Sequence, residues 1–197
     1  MNTSEVRSFV LCVAGPSGSG KTSLCDQLAL KLPFAKRSIS FTTRPQRPGE
    51  NAGGDYHFVT KAEFEKMRDE GKFLETAEVF GNLYGTPLEP VEEALQAGQV
   101  MIMDVDTVGA DAVKKKLTGR CVRVFIMPPS MEELERRLRT RQQNNSEDLE
   151  RRLAEARREM KEGESYEYVV ENRDFDEAFD QLRYIVDRER ISPSHKS

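Results

Sequence analysis

No apolar run in this 197-residue chain approaches the ~20 residues of a membrane-spanning helix, and residues 1–8 hold no apolar core of signal-peptide length. With nothing directing the chain elsewhere, a cytoplasmic protein without membrane partners is expected. Cysteine is scarce: Cys12, Cys25 and Cys121 are odd in number and match neither a disulfide framework nor a metal knuckle, so reduced thiols are expected. Histidine is scarcer. His57 lies in Asp55-Tyr56-His57-Phe58 and His195 in the C-terminal tail, so neither stands in a plausible catalytic position. Positive charge is not in excess, because 30 Lys and Arg against 34 Asp and Glu give a formal net charge of −4, which excludes the global basic field of a nucleic-acid binder. Internal repeats and low-complexity tracts are absent. What remains is one domain of residues 1–197, long enough to bury its core without metals or disulfides.

Against this background one segment is strongly marked. Gly15-Pro16-Ser17-Gly18-Ser19-Gly20-Lys21-Thr22 follows the apolar run Phe9-Val10-Leu11-Cys12-Val13-Ala14, and Leu24, Leu28, Ala29 and Leu32 continue behind it at helical spacing. Glycines let the backbone curl so that successive N–H groups converge on phosphate oxygens, with the helix N-terminus adding its dipole. Lys21 supplies a full positive charge, and the Thr22 hydroxyl is placed to ligate Mg²⁺. A nucleoside triphosphate is the expected ligand, held by residues 15–22 with Ser23 beside them, and Lys21 is a catalytic candidate.

Three apolar runs, residues 9–14, 100–105 and 122–127, read as buried parallel strands. Thr60-Lys61-Ala62-Glu63 is a capping box for a helix closed by Gly71, and Thr86-Pro87-Leu88-Glu89 opens another closed by Gly98. Ser130 opens a third, residues 146–162 form a helix ending at Gly163, and residues 175–189 give a final amphipathic one. The alternation predicts a three-layer α/β fold with a central parallel sheet. Between residues 38 and 84 it breaks into short strands at 38–43, 55–59 and 73–80, joined by turns holding Pro45, Pro48, Gly49, Gly53 and Gly54. This reads as a β-rich insertion over 38–99, set between core segments 8–37 and 100–190. Residues 191–197 form the expected tail.

The insertion carries groups suited to a second phosphate. Arg44 and Arg47 stand three apart on a proline-punctuated loop, where guanidinium forks clamp phosphate oxygens, although paired loop arginines are as often merely solvated. Tyr56 and Tyr84 each bring a phenolic hydroxyl. An acceptor that is a phosphate monoester carries its own ionised nucleophilic oxygen, which removes the need for a general base.

The segments Ser38-Ile39-Ser40-Phe41-Thr42-Thr43-Arg44-Pro45-Gln46-Arg47-Pro48-Gly49-Glu50, Gly54-Asp55-Tyr56-His57-Phe58, Phe73-Leu74-Glu75 and Gly81-Asn82-Leu83-Tyr84-Gly85-Thr86 resemble, in this order, the substrate-binding region of guanylate kinases. The resemblance continues through Met103-Asp104-Val105-Asp106 and Phe125-Ile126-Met127-Pro128-Pro129-Ser130, covering about residues 10–185. It implies a P-loop nucleoside monophosphate kinase fold with a substrate-binding insertion and a helical lid at residues 137–153. It implies that Arg44, Arg47, Tyr56 and Tyr84 hold the GMP phosphate, and that Ser40, Glu75, Thr86 and Asp106 face guanine. Guanine N1–H and N2–H₂ donors suit a carboxylate, whereas adenine presents the reverse pattern. Asp104 is similar to the acid that helps Thr22 hold Mg²⁺, and Asn172 lies in the loop expected near adenine.

The same resemblance brings Arg137, Arg141 and Arg152 over the triphosphate as catalytic arginines. Ordinary i,i+4 pairs account for much of the surrounding charge: Glu132 with Arg136, Glu135 with Arg139, Glu147 with Arg151, Asp148 with Arg152. Arg141 differs, having Arg137 as its i−4 neighbour and no carboxylate within four residues. The chain departs from the family pattern at Gln142-Gln143-Asn144-Asn145, Val108, Thr76 and Arg173. The expected reaction is transfer from Mg-ATP to GMP, with dGMP acceptance open. Two rivals stand beside it: a phosphopeptide-binding module, disfavoured by the intact phosphate loop, and a kinase of another phosphorylated acceptor such as a ribose phosphate.

Overall fold

The computed structural model describes residues 6–141 and 146–191, with the side chains of Arg141 and of residues 146–148 outside the description. The expected lid turn at 142–145, His195 and residues 192–197 of the tail lie outside the described residues. In chain order the elements are β1 (Phe9–Ala14), α1 (Lys21–Lys31), β2 (Ala35–Arg37), β3 (Phe41–Thr42), β4 (His57–Phe58), α2 (Lys61–Asp69), β5 (Phe73–Val79) and β6 (Asn82–Pro87). They continue as α3 (Leu88–Gln96), β7 (Val100–Asp104), α4 (Thr107–Lys116), β8 (Cys121–Met127), α5 (Met131–Arg141), α6 (Ser146–Gly163), β9 (Tyr168–Glu171) and α7 (Phe175–Ile191).

Five parallel strands in the order β2-β7-β1-β8-β9 make the central sheet. Because side chains alternate across a strand, β1 feeds two cores at once. Phe9, Leu11 and Val13 pack with Leu24 and Leu28 of α1 and Leu182 and Val186 of α7. Val10, Cys12 and Ala14 pack with Val91 and Leu95 of α3 and Ala110 and Val113 of α4. The result is the expected three-layer α/β architecture. All three cysteines are free and buried, with the Cys12 and Cys121 sulfurs 3.7 Å apart.

A second sheet, ordered β4-β3-β6-β5, forms the insertion. It has four strands rather than three, and β3 is shorter than residues 38–43 suggest. The reason is that the Ser38 amide donates to the Ile102 carbonyl of β7, so the chain is still leaving the central sheet there. Thr86 does not cap a helix: it pairs with Glu75 across β5 and β6, and α3 starts at Leu88 after the extended Pro87. The capping box at Thr60 and Glu63 is present. Gly163 is the last residue of α6 rather than a stop beyond it; a Cβ there would lie 2.4 Å from the Phe125 ring, so close approach requires glycine. Short β2 and β9, with three and four residues, carry too little pattern to be read in advance.

Helices α5 and α6 share a separate small core of Leu134, Leu138, Leu153 and Ala156. Leu134 and Leu138 also approach the phosphate loop, where a Cβ on Gly18 would lie 3.2 Å from each. The helical pair is therefore seated beside the loop.

Candidate active site

The phosphate loop links the end of β1 to α1, and its geometry follows from glycine. Gly15 runs so close to β8 that a Cβ would lie 2.4 Å from the Ile126 carbonyl oxygen. Gly20, with φ 96°, caps α1 without any side-chain hydrogen bond, leaving the first-turn N–H groups directed at the loop's concavity. Lys21 Nζ folds over the loop, donating to the Gly15 and Pro16 carbonyls at 2.6 and 3.1 Å. Asn172 Nδ2 donates to the Ser19 carbonyl at 2.7 Å, tying the loop to the end of β9. Ser17 and Ser23 are exposed, while Ser19 is buried with its hydroxyl unpartnered among the described residues.

Thr22 Oγ1 donates to Asp104 Oδ2 at 2.7 Å, joining α1 to the carboxyl end of β7. A hydroxyl and a carboxylate side by side are hard oxygen donors of the kind Mg²⁺ prefers, so the donor set fits that ion. Arg137 lies at the loop's outer edge. Its Nε donates to Glu133 Oε1 at 2.8 Å and its Nη2 to the Asn172 carbonyl at 3.1 Å. It borders a cleft of about 480 Å³ lined also by Gly18, Gly20, Arg173 and Phe175. Arg136 pairs with Glu133 rather than Glu132, while Arg139 pairs with Glu135 as its spacing predicts. Arg152 projects from α6 toward Phe80 at the insertion's tip, its guanidinium 5.8 Å from the ring centroid.

On the insertion, Arg44 is buried and rigidly held. Its Nη1 and Nη2 donate to the two carboxylate oxygens of Glu50 at 3.1 and 2.7 Å, and its guanidinium lies 5.4 and 5.7 Å from the Tyr56 and Phe58 rings. Tyr56 and Tyr84 meet edge to face at 5.9 Å. Burial pushes the Tyr56 hydroxyl well above its ordinary range, so it remains a donor at neutral pH. Arg44, Tyr56 and Tyr84 thus converge as a donor cluster. The Arg47 side chain is exposed at its margin, and its backbone N–H donates to Glu50 Oε2 at 2.7 Å.

Deeper in the groove, Thr86 Oγ1 donates to Glu75 Oε1 at 2.7 Å. That hydroxyl hydrogen is committed to orienting Glu75, while Ser40, just before β3, is half-buried and its carbonyl accepts from the His57 amide at 2.9 Å. Asp106 caps α4 by accepting from the Gly109 amide at 2.6 Å. A Cβ on Gly109 would lie 3.0 Å from Glu75 Oε2 and 3.1 Å from Asp106 Oδ1, so the two carboxylates converge on this glycine. Burial raises both their pKa values, and the Asp106 charge raises that of Glu75 further. Such a pair is relieved by a ligand that brings N–H donors.

Several residues of the site carry no signal in the sequence alone. Glu50 clamps Arg44 across a proline loop with no fixed spacing, and Glu133 orients Arg137 from within an ordinary i,i+4 pair. Glu159 of α6 is pushed up to about 7 by burial and by Glu155, Asp106 and Glu162, against the opposing pull of Lys21. Its periodic position on an amphipathic helix makes it look solvated.

Comparison with known proteins identifies the family of the chain. The guanylate kinase family model matches residues 7–189. Guanylate kinase of Methylococcus capsulatus is 48% identical over 186 residues, covering 94% of this chain and 91% of its own. That of Bradyrhizobium diazoefficiens is 44% identical over 187 residues, covering 95% and 85%. The crystal structure of guanylate kinase from Anaplasma phagocytophilum is similar with a TM-score of 0.81 at 33% identity, covering 96% of this chain and 89% of that one. Shikimate kinase from Bacteroides thetaiotaomicron, at TM-score 0.50 and 16% identity over 91% and 98%, shares the fold alone.

Proposed function

The chain belongs to the guanylate kinase family, and from that membership and the geometry of the groove we infer that it transfers the γ-phosphoryl group of ATP to GMP, giving ADP and GDP. The observation that carries the choice of acceptor is the pair of buried Glu75 and half-buried Asp106, both raised in pKa and converging on Gly109. Guanine N1–H and N2–H₂ satisfy that pair, while adenine would place an acceptor there and leave the carboxylates unrelieved. Ser40 is then the hydroxyl facing O6, with Thr86 holding Glu75 in place.

Arg44, Arg47, Tyr56 and Tyr84 bind the acceptor phosphate, with Glu50 fixing the Arg44 fork. The nucleophile is that phosphate's own oxygen, so no histidine base is needed. Residues 15–23 hold the donor triphosphate, Asn172 bracing the loop from β9. Lys21 releases its carbonyl contacts to face the phosphates and stabilise charge as it shifts to the bridging oxygen. Thr22 and Asp104 would hold Mg²⁺, which supplies charge neutralisation between the phosphates. Arg137, Arg141 and Arg152 supply positive charge from the lid, and closing it excludes water that would otherwise be an acceptor. GMP is the acceptor proposed, with dGMP differing only at a ribose position that none of these contacts reads.

The test is ADP formation by the purified protein with Mg-ATP and, in parallel, GMP, dGMP, AMP, CMP, UMP and ribose phosphates. Turnover with the guanine nucleotides far above the others is the expected result. Equal turnover with AMP would overturn the role of Glu75 and Asp106, and silence with every acceptor would overturn the reaction.

A further inference from the structure

Among the described residues, Phe80 is the only non-glycine with a positive φ, at 50°. It occupies, with Gly81 at φ 76°, the two-residue turn closing the β5–β6 hairpin, whose last pair is Val79 with Asn82. Left-handed backbone at both turn positions is the geometry that Asn-Gly adopts without strain and that a bulky aromatic resists. The ring is not sequestered in a core in return: Phe80 stays 37% exposed at the hairpin tip. Local turn chemistry therefore selects against phenylalanine here, and something else must hold it.

That something is on another element. The guanidinium of Arg151 lies 4.4 Å from the centroid of the Phe80 ring and that of Arg152 5.8 Å, both from α6. Cations over an aromatic face are attracted by its quadrupole. The contact bridges the two parts of the molecule that flank the groove, the insertion and the helical lid. The hairpin is also a stiff connection: Glu75 pairs with Thr86 at its base and Ala77 with Tyr84 along its length, so the guanine-facing and phosphate-facing positions share two hydrogen-bonded strands with the tip.

We propose that Phe80 is a positioning residue, an abutment for Arg151 and Arg152 that couples occupancy of the acceptor groove to placement of the lid arginines. Resting on the GMP kinase reading above, it assigns acceptor-linked closure to one contact. Acceptor bound at Glu75 and Tyr84 steadies the hairpin, the tip steadies α6, and Arg152 is set for transfer only when the acceptor is present.

The test compares wild type with Phe80→Asn, Phe80→Trp, Arg151→Gln and the Phe80→Asn/Arg151→Gln double variant, measuring kcat, both KM values and Tm. Phe80→Asn suits the turn, so Tm is expected to hold or rise while kcat falls about tenfold and the GMP KM stays within about twofold. Phe80→Trp restores most of kcat, and the double variant is no slower than Phe80→Asn alone, because both act through one contact. Unchanged kcat in Phe80→Asn, or independent losses that multiply in the double variant, would overturn the abutment. Either result in an active wild type leaves the GMP kinase reading standing, whereas a wild type silent with GMP overturns both.

Discussion

Glu75 shows how much one side chain's surroundings decide. It is 6% exposed, receives the Thr86 hydroxyl and faces Asp106, so its charge is tolerated only with donors nearby. Glu75→Ala is expected to raise the GMP KM about a hundredfold, since a site built for a hydrogen-bonding group loses most when the partner is missing, while the ATP KM stays within about twofold. Steady-state kinetics with each substrate varied checks this; equal losses for both would mean guanine is read elsewhere. Glu159 gives a prediction in pH. Its folded pKa of about 7 lies above the ordinary value of 4.5, so the native state holds the proton more tightly than the unfolded chain. Stability from this residue is present below the unfolded value and is lost as pH rises through the folded one. Glu159→Gln should match wild type near pH 5 and exceed its Tm at pH 8 by about 2–4 °C, the shift of roughly 1 kcal/mol in a chain this size. A pH series of thermal unfolding decides it. Glu75 stood out in the sequence because it lies in the short segment Phe73-Leu74-Glu75 that carries the family resemblance. Glu159 did not, because its burial depends on α6 packing against α4 and β8, far away in the chain.

At the scale of elements, the phosphate loop and α1 depend on an approach that only glycine allows. Gly20 has φ 96° and a Cβ would lie 2.3 Å from Asn172 Nδ2, the atom that secures the Ser19 carbonyl. Gly20→Ala therefore combines backbone strain with loss of a buried hydrogen bond and is expected to destabilise the fold by about 2–4 kcal/mol. Urea unfolding measures it; a variant within 0.5 kcal/mol of wild type would mean the loop relaxes freely. The loop, the capping box at Thr60 and the strand β1 were readable because each is encoded within a few neighbouring residues. Thr86 misled for the same reason: Thr-Pro-Leu-Glu has the local form of a helix start, but pairing with Glu75 draws Thr86 into β6. Ser38 likewise has strand character, yet a bond to Ile102 keeps it at the edge of the central sheet rather than in the small one.

For the whole molecule, the proposed function places two ligands in adjoining subsites, and each should stabilise the folded state on its own. GMP at a hundredfold excess over its Kd is expected to add about 2.7 kcal/mol, visible as a rise in Tm, and Glu75→Ala should remove that rise while leaving the one produced by Mg-ATP. Loss of both rises in the variant would mean the two subsites are not separable. From sequence alone came the phosphate loop with its Lys21 and Thr22, the alternation that makes a three-layer α/β fold, and the short motifs that carry the family resemblance. Those are local patterns, set by backbone sterics, periodicity and functional-group chemistry within short windows. Only the tertiary structure brought Thr22 to Asp104, Glu75 to Asp106, Asn172 to the phosphate loop and Phe80 to the lid arginines. Each of these contacts joins residues far apart in the chain, and the order β2-β7-β1-β8-β9 decides which strand ends become neighbours.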